Sequence, residues 1–138
     1  MDAEPSRLLL VFDGSSIADR ALEAALTRAR SLGASITLLA PVPPRLWRAK
    51  RGQFQVSPEK HDEEFARDQL KRAHDRIKAE GVHVEQLVRV GPPARVIAEE
   101  IAKGYAALVI PERRSLTGAP PLARVVAVPD GTEVLVVA

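Results

Sequence analysis

The sequence contains no cysteine, which excludes disulfides, thiol catalysis and every cysteine-ligated metal centre. Aromatic residues are scarce at 4%, so aliphatic side chains must fill the core. No apolar stretch approaches the roughly 20 residues that a membrane-crossing helix needs. Charge of one sign is also missing: 20 basic and 18 acidic residues leave a formal +2, too small an excess to make the chain as a whole a ligand for nucleic acid. Neither a Walker-type Gly-Lys-Thr nor a dinucleotide Gly-x-Gly-x-x-Gly occurs. The three histidines, His61, His74 and His83, have no metal-ligand spacing. No Gly-x-Ser-x-Gly elbow surrounds a serine, so no catalytic residue is nominated and no metal is expected. The opening "MDAEPS" is polar and acidic where a secretory leader is basic and apolar, and a cytoplasmic location is the expectation.

What remains has the balance of a single globular domain: 138 residues, 46% hydrophobic and 28% charged, enough to bury one core and too few for two. "RLLLVF" (7–12) is a continuous apolar run, as in a strand covered on both faces. Ile17, Ala21, Leu22, Ala25, Leu26, Ala29 and Leu32 then recur at helical spacing. Ser16 and Asp19 stand as a start signal, and Gly33 as the stop. "SITLLA" (35–40) gives a second strand. Residues 41–57 have neither period and are broken by prolines. A helix opens at Pro58, carries Ala66, Leu70, Ala73 and Ile77 on one stripe, and stops at Gly81. "VHVEQLVRV" (82–90) alternates, which places it at a half-exposed sheet edge. Pro92 and Pro93 lead into a third helix with Ala94, Ile97, Ala98 and Ile101 on one face. Gly104 ends that helix, and "AALVI" (106–110) follows as the fourth strand. Residues 120–131 stay open between two readings: a hairpin from "ARVVAV" through "PDG" to "TEVLVV", or a short helix begun by Pro120 and Pro121 and ended by Pro129. The alternation of strand and helix marks an α/β fold.

Three stretches, "RLLLVFDGSSIADRALEAALTRARSLGASITLLAPVPP", "GPPARVIAEEIAKGYAALVI" and "VLVV", together resemble the universal stress protein family over nearly the whole chain. The resemblance implies a Rossmann-like α/β domain of the adenine nucleotide alpha hydrolase type. Its sheet is open and parallel, with five strands in the order 3-2-1-4-5, helices on both faces, and dimerisation through the last strands. Family members that bind ATP carry Gly-x2-Gly-x9-Gly-(Ser/Thr) after the fourth strand. Here Pro111 falls on the first glycine, Arg114 on the second, and Pro120 with Pro121 on the Gly-Ser, with a shortened spacer. A phosphate loop needs converging backbone N–H groups at glycine conformations. Proline has no N–H, and the arginine side chain crowds the approach. ATP binding in the family's manner is therefore not expected, and no cofactor is assigned, with ATP or AMP kept as the alternative ligand.

The candidate ligand-binding residues are Asp13, Gly14, Ser15, Pro41, Ile110, Pro111, Arg113 and Arg114. In the ATP-binding relatives the residue matching Asp13 contacts the adenosine. Its structural alternative is to accept backbone hydrogen bonds at the start of the first helix. Arg113 and Arg114 read as solvated loop arginines or as side-chain ligands for a phosphate or carboxylate. Arg45, Arg48, Lys50 and Arg51, interleaved with Trp47 and Phe54, have the composition of an anion or single-stranded nucleic-acid patch, but a solvated segment shows the same charges; the favoured reading is that Trp47 and Phe54 pin the loop onto the sheet's upper edge or a partner subunit, and nucleic acid is not the expected partner. "TEVLVV" is apolar on both faces and would be an aggregation hazard as a bare edge. A homodimer through Thr132–Ala138 is thus expected on two grounds, along with a possible regulatory protein partner. The functional expectation is a non-catalytic stress-response binding or regulatory module.

Overall fold

The computed structural model describes residues 6–12, 16–42, 58–112 and 122–138. Its five strands, β1 (Arg7–Val11), β2 (Ser35–Val42), β3 (Val84–Val90), β4 (Ala107–Pro111) and β5 (Glu133–Val137), lie in the order β3-β2-β1-β4-β5. Every pairing is parallel, with Leu9 of β1 level with Thr37 of β2 on one side and Leu108 of β4 on the other. The helices α1 (Ser16–Leu32), α2 (Pro58–Ala79), α3 (Pro93–Ile101) and α4 (Leu122–Val125) form the covering layers.

Two-sided burial explains the apolar runs. Leu8 and Leu10 point into a cluster with Ala21, Ala25 and Ala29 of α1 and Leu70 and Ile77 of α2. Leu9 and Val11 point the other way, into a cluster with Val96, Ile97 and Ile101 of α3. Leucine at successive positions is what a strand needs when neither face meets water. The α1 stripe reads Ala18, Ala21, Ala25 and Ala29 along its buried side, and these short side chains leave room for the leucines of the sheet opposite. Gly33 takes φ +63 immediately after α1, a left-handed cap where any side chain would be strained. Surface ion pairs lace the outer elements: Arg28 to Glu133 at 2.5 Å joins α1 to β5, Arg30 to Glu80 at 2.5 Å joins the ends of α1 and α2, and Arg76 pairs with Glu23. The last two are solvent-exposed and the first is part-buried, and an exposed pair contributes about 0.2–1 kcal/mol.

The sequence left 120–131 open, and the structure excludes the hairpin. β5 runs parallel to β4, so the chain must cross over before it, and a two-residue turn cannot make that crossing. Leu122–Val125 is a helix of four residues. Its Leu122 and Ala123, with Val126 and Val128, are spent on the α3 side of the core and not on pairing. The helix ends at Val125, short of Pro129, while Pro120 and Pro121 lie outside the described residues.

One polar cluster interrupts the α3 layer near the amino ends of the strands. Glu100, only 4% exposed, accepts the Tyr105 hydroxyl on Oε2 at 2.5 Å and Lys103 Nζ on Oε1 at 3.0 Å. Thr37 of β2 lies beside the Tyr105 hydroxyl, and the Arg7 guanidinium lies 4.3 Å from the centre of the Tyr105 ring, a cation–π arrangement. Burial alone would raise the Glu100 carboxyl. The hydrogen bonds from Tyr105 and Lys103, with the charges of Lys103 and Arg89, outweigh it and hold the group below its ordinary 4.5. Glu100 therefore stabilises the fold above that value, and its contribution fades as acid protonates it. Burial, and then the bond to Glu100, push Tyr105 up to about 12 from its ordinary 10.0. Its neutral form supports the fold fully below 10.0, and the support is lost as pH rises through about 12.

Tyr105 is the only tyrosine in the chain, so this bond has a direct optical readout. In an alkaline titration of near-ultraviolet phenolate absorbance, the native protein is expected to turn at about 12 and the denatured chain at 10.0. A native midpoint equal to the denatured one would mean that the Glu100–Tyr105 bond does not form.

Candidate functional site

In a parallel sheet the crossovers diverge where the strand order reverses, and the crevice opens at the carboxyl ends there. Here β1 sends its following helix towards β2, while β4 lies on its other side, so the crevice belongs to the ends of β1 and β4. Asp13, Gly14, Ser15, Arg113 and Arg114, the polar members of the sequence-derived set, lie outside the described residues, as does the whole basic segment 43–57. Pro41, Ile110 and Pro111 are described. β1 ends at Val11, before Asp13, and Phe12 continues its ladder by donating its N–H to the Leu39 carbonyl at 2.9 Å.

Ile110 and Pro111 close β4 with both side chains buried, and Ile110 is packed with Leu9, Val11 and Val126. Ile110 therefore faces the core and exposes nothing to the crevice. Pro41 is half-buried in the last turn of β2 and level with Arg89. Among the described residues this rim is short of N–H donors, since Pro41, Pro92, Pro93 and Pro111 contribute none.

Glu112, the first residue past β4, was not singled out from the sequence, and it holds this corner together. Its N–H donates to the Val137 carbonyl at 2.8 Å, adding one rung to the β4–β5 ladder. Its Oε1 accepts the Ala123 N–H in the first turn of α4 at 3.2 Å. A carboxylate is thus spent on a helix-start amide, where side-chain acceptors are favourable. Its negative charge next to the crevice opposes an incoming anion. The signal for it was position alone, an acid directly after a buried strand, and that pattern is common on surfaces.

On the β2–β3 side the rim is shaped by a close approach. Gly91 is buried and donates to the Val42 carbonyl at 2.9 Å. A Cβ at Gly91 would stand 2.8 Å from Val96 Cγ2. Pro93 opens α3 in the position where a missing N–H costs nothing, and Val96 N–H returns to the Pro92 carbonyl at 3.0 Å. No side chain caps this helix start. Among the described residues no group of three or more His, Asp or Glu is placed to hold a metal ion, and no helix is long and apolar enough to cross a membrane.

Comparison with known proteins places this geometry. The model of the universal stress protein family matches residues 5–125. Among solved structures, the universal stress protein UspA from Lactobacillus plantarum superposes with a TM-score of 0.77 at 15% identity, covering 99% of this chain and 100% of its own. A universal stress protein from Archaeoglobus fulgidus gives 0.72 at 24%, covering 99% and 100%. One from the same organism in complex with dAMP gives 0.69 at 22%, covering 98% of each chain. No curated protein matches the sequence significantly.

The Gly91 contact is testable. Val96 is β-branched and buried, so it cannot swing away cheaply. Gly91→Ala is expected to destabilise the protein by about 1–3 kcal/mol in denaturant unfolding, with part of the loss recovered when Val96→Ala is added. An unchanged midpoint for the single variant would mean that the turn relaxes without cost.

Proposed function

The chain belongs to the universal stress protein family, and on that premise we propose that it is a non-catalytic binding or regulatory module of the stress response, cytoplasmic and dimeric, that does not hold ATP in the family's usual manner. The observation that carries this reading is the β4 exit. Pro111 supplies no N–H, and the Glu112 carboxylate already takes the Ala123 amide. A triphosphate there would have to meet a negative charge and find its amide donors elsewhere. The alternative, an ATP- or AMP-binding protein working through Asp13 and an altered loop, draws on the dAMP complex of the Archaeoglobus fulgidus relative.

The two readings separate on the purified protein. Mass spectrometry of protein prepared without added nucleotide is expected to release no adenine nucleotide, and ATP is expected to raise the melting temperature no more than plain phosphate does. Stoichiometric bound ATP or AMP would overturn the proposal in favour of the alternative.

The dimer reading draws on the contrast between the two sheet edges. β3 exposes Glu85, Gln86 and Arg89 before a single exposed valine, Val90, at its end, and the Arg89 guanidinium donates to the Val88 carbonyl at 3.1 Å. Charged side chains on an edge discourage further pairing. β5 instead exposes Val134 (39%) and Val136 (47%), with Val125 of α4 also exposed. Apolar residues on an open edge favour a partner strand, and a second copy of β5 meets the same chemistry in return. Val136→Lys is expected to convert a dimer into a monomer in sedimentation at low micromolar concentration while leaving the circular dichroism spectrum unchanged. A wild-type protein sedimenting only at 15.0 kDa would count against dimerisation.

A further inference from the structure

We propose that the hydrogen bond from Tyr105 to Glu100 is a positioning device: it fixes α3 along the sheet and thereby sets the Gly91–Pro93 turn at the opposite, carboxyl edge. The inference holds whatever the rim binds.

α3 has nine residues, roughly 13 Å of helix, and runs against the strand direction from the rim to the amino edge. Its other buried contacts, Val96, Ile97 and Ile101, are aliphatic. Aliphatic packing attracts without direction, so it limits sliding or rotation only through shape. The bond from the Tyr105 hydroxyl to Glu100 Oε2 at 2.5 Å is directional, and a small displacement weakens it steeply.

The receiving end of the bond is itself fixed. The Tyr105 ring lies beneath Arg7 of β1, which also donates Nη2 to the Gly104 carbonyl at 3.1 Å. The Tyr105 carbonyl accepts the Thr132 hydroxyl at 3.2 Å, and the next residue, Ala106, donates its N–H to the Arg7 carbonyl at 2.8 Å. Thr37 is 2% exposed and belongs to β2. Tyr105 is thereby referenced to β1 and to the approach to β5, and Glu100 transfers that reference to α3.

Stability does not account for a carboxylate here. Apolar residues of similar volume commonly replace buried polar or ionic groups without loss, and sometimes with gain. What such a replacement gives up is a defined setting. At the other end of α3 a defined setting matters, because Val96 leaves no room for even a methyl group on Gly91. A shift of a few tenths of an ångström in the helix would reach the Gly91 N–H and its bond to Val42.

The test is a variant combining Thr37→Val, Glu100→Leu and Tyr105→Phe, compared with wild type by native-state hydrogen exchange and by denaturant unfolding. The expected result is global stability equal to or above wild type, with exchange at the Gly91 and Val96 amides faster by about tenfold. If protection at Gly91 is unchanged, or falls only in step with global stability, the network is merely structural and the proposal fails. Should the triple variant not fold, Tyr105→Phe alone, which removes one oxygen and keeps the ring under Arg7, is read at the same two amides. Faster exchange there supports the proposal, and unchanged exchange overturns it.

Discussion

The constraint on which the rest depends is the burial of β1 and β4 on both faces. Leu8, Leu9, Leu10, Leu108, Val109 and Ile110 are all fully buried, so the middle of the sheet has no position where a polar side chain can face water. Chemistry is displaced to the strand ends. At the carboxyl ends the described rim is formed by prolines, Gly91 and the Glu112 carboxylate. At the amino ends the polar groups are turned inward and satisfied by one another, and no buried side-chain polar atom among the described residues lacks a partner.

Strand and helix identities were legible because two-sided burial writes a distinctive pattern. Unbroken runs in β1 and β4, alternation in β3 and spaced alanines in α1 each correspond to one environment, and the alternating β3 does lie at an edge. The sheet order came from resemblance to a family, since periodicity cannot say which strands are neighbours. The segment before β5 was ambiguous for a physical reason: Val125, Val126 and Val128 have strand propensity, but the packing of Val126 and Val128 on the α3 side of the core decides its state.

The site was less legible. Glu100 sits on the same stripe as Ile97 and Ile101, where periodicity expects an apolar residue, and its partner Tyr105 follows a helix-ending glycine. No local rule links the two, because their bond depends on how the chain turns at Gly104, which has φ +105. Glu112 was passed over because an acid beside a strand is ordinarily solvated. Ile110 lies one residue before the end of β4, and its side chain faces inward. The sequence pattern locates a residue along a strand more readily than it tells which face a side chain near a short strand's end takes.

The strand order also bears on how the chain is made. β1 lies between β2, which follows it closely, and β4, which is separated from it by both α2 and α3. As the chain leaves the ribosome, the Leu8–Val11 ladder acquires one neighbour early and then presents an unpaired apolar border until Ala107–Pro111 is synthesised. Nascent chains crowded on one message share that border, and an edge of this kind is prone to pair with its own copies. The same topology that seals the finished sheet leaves its centre open until β4 arrives.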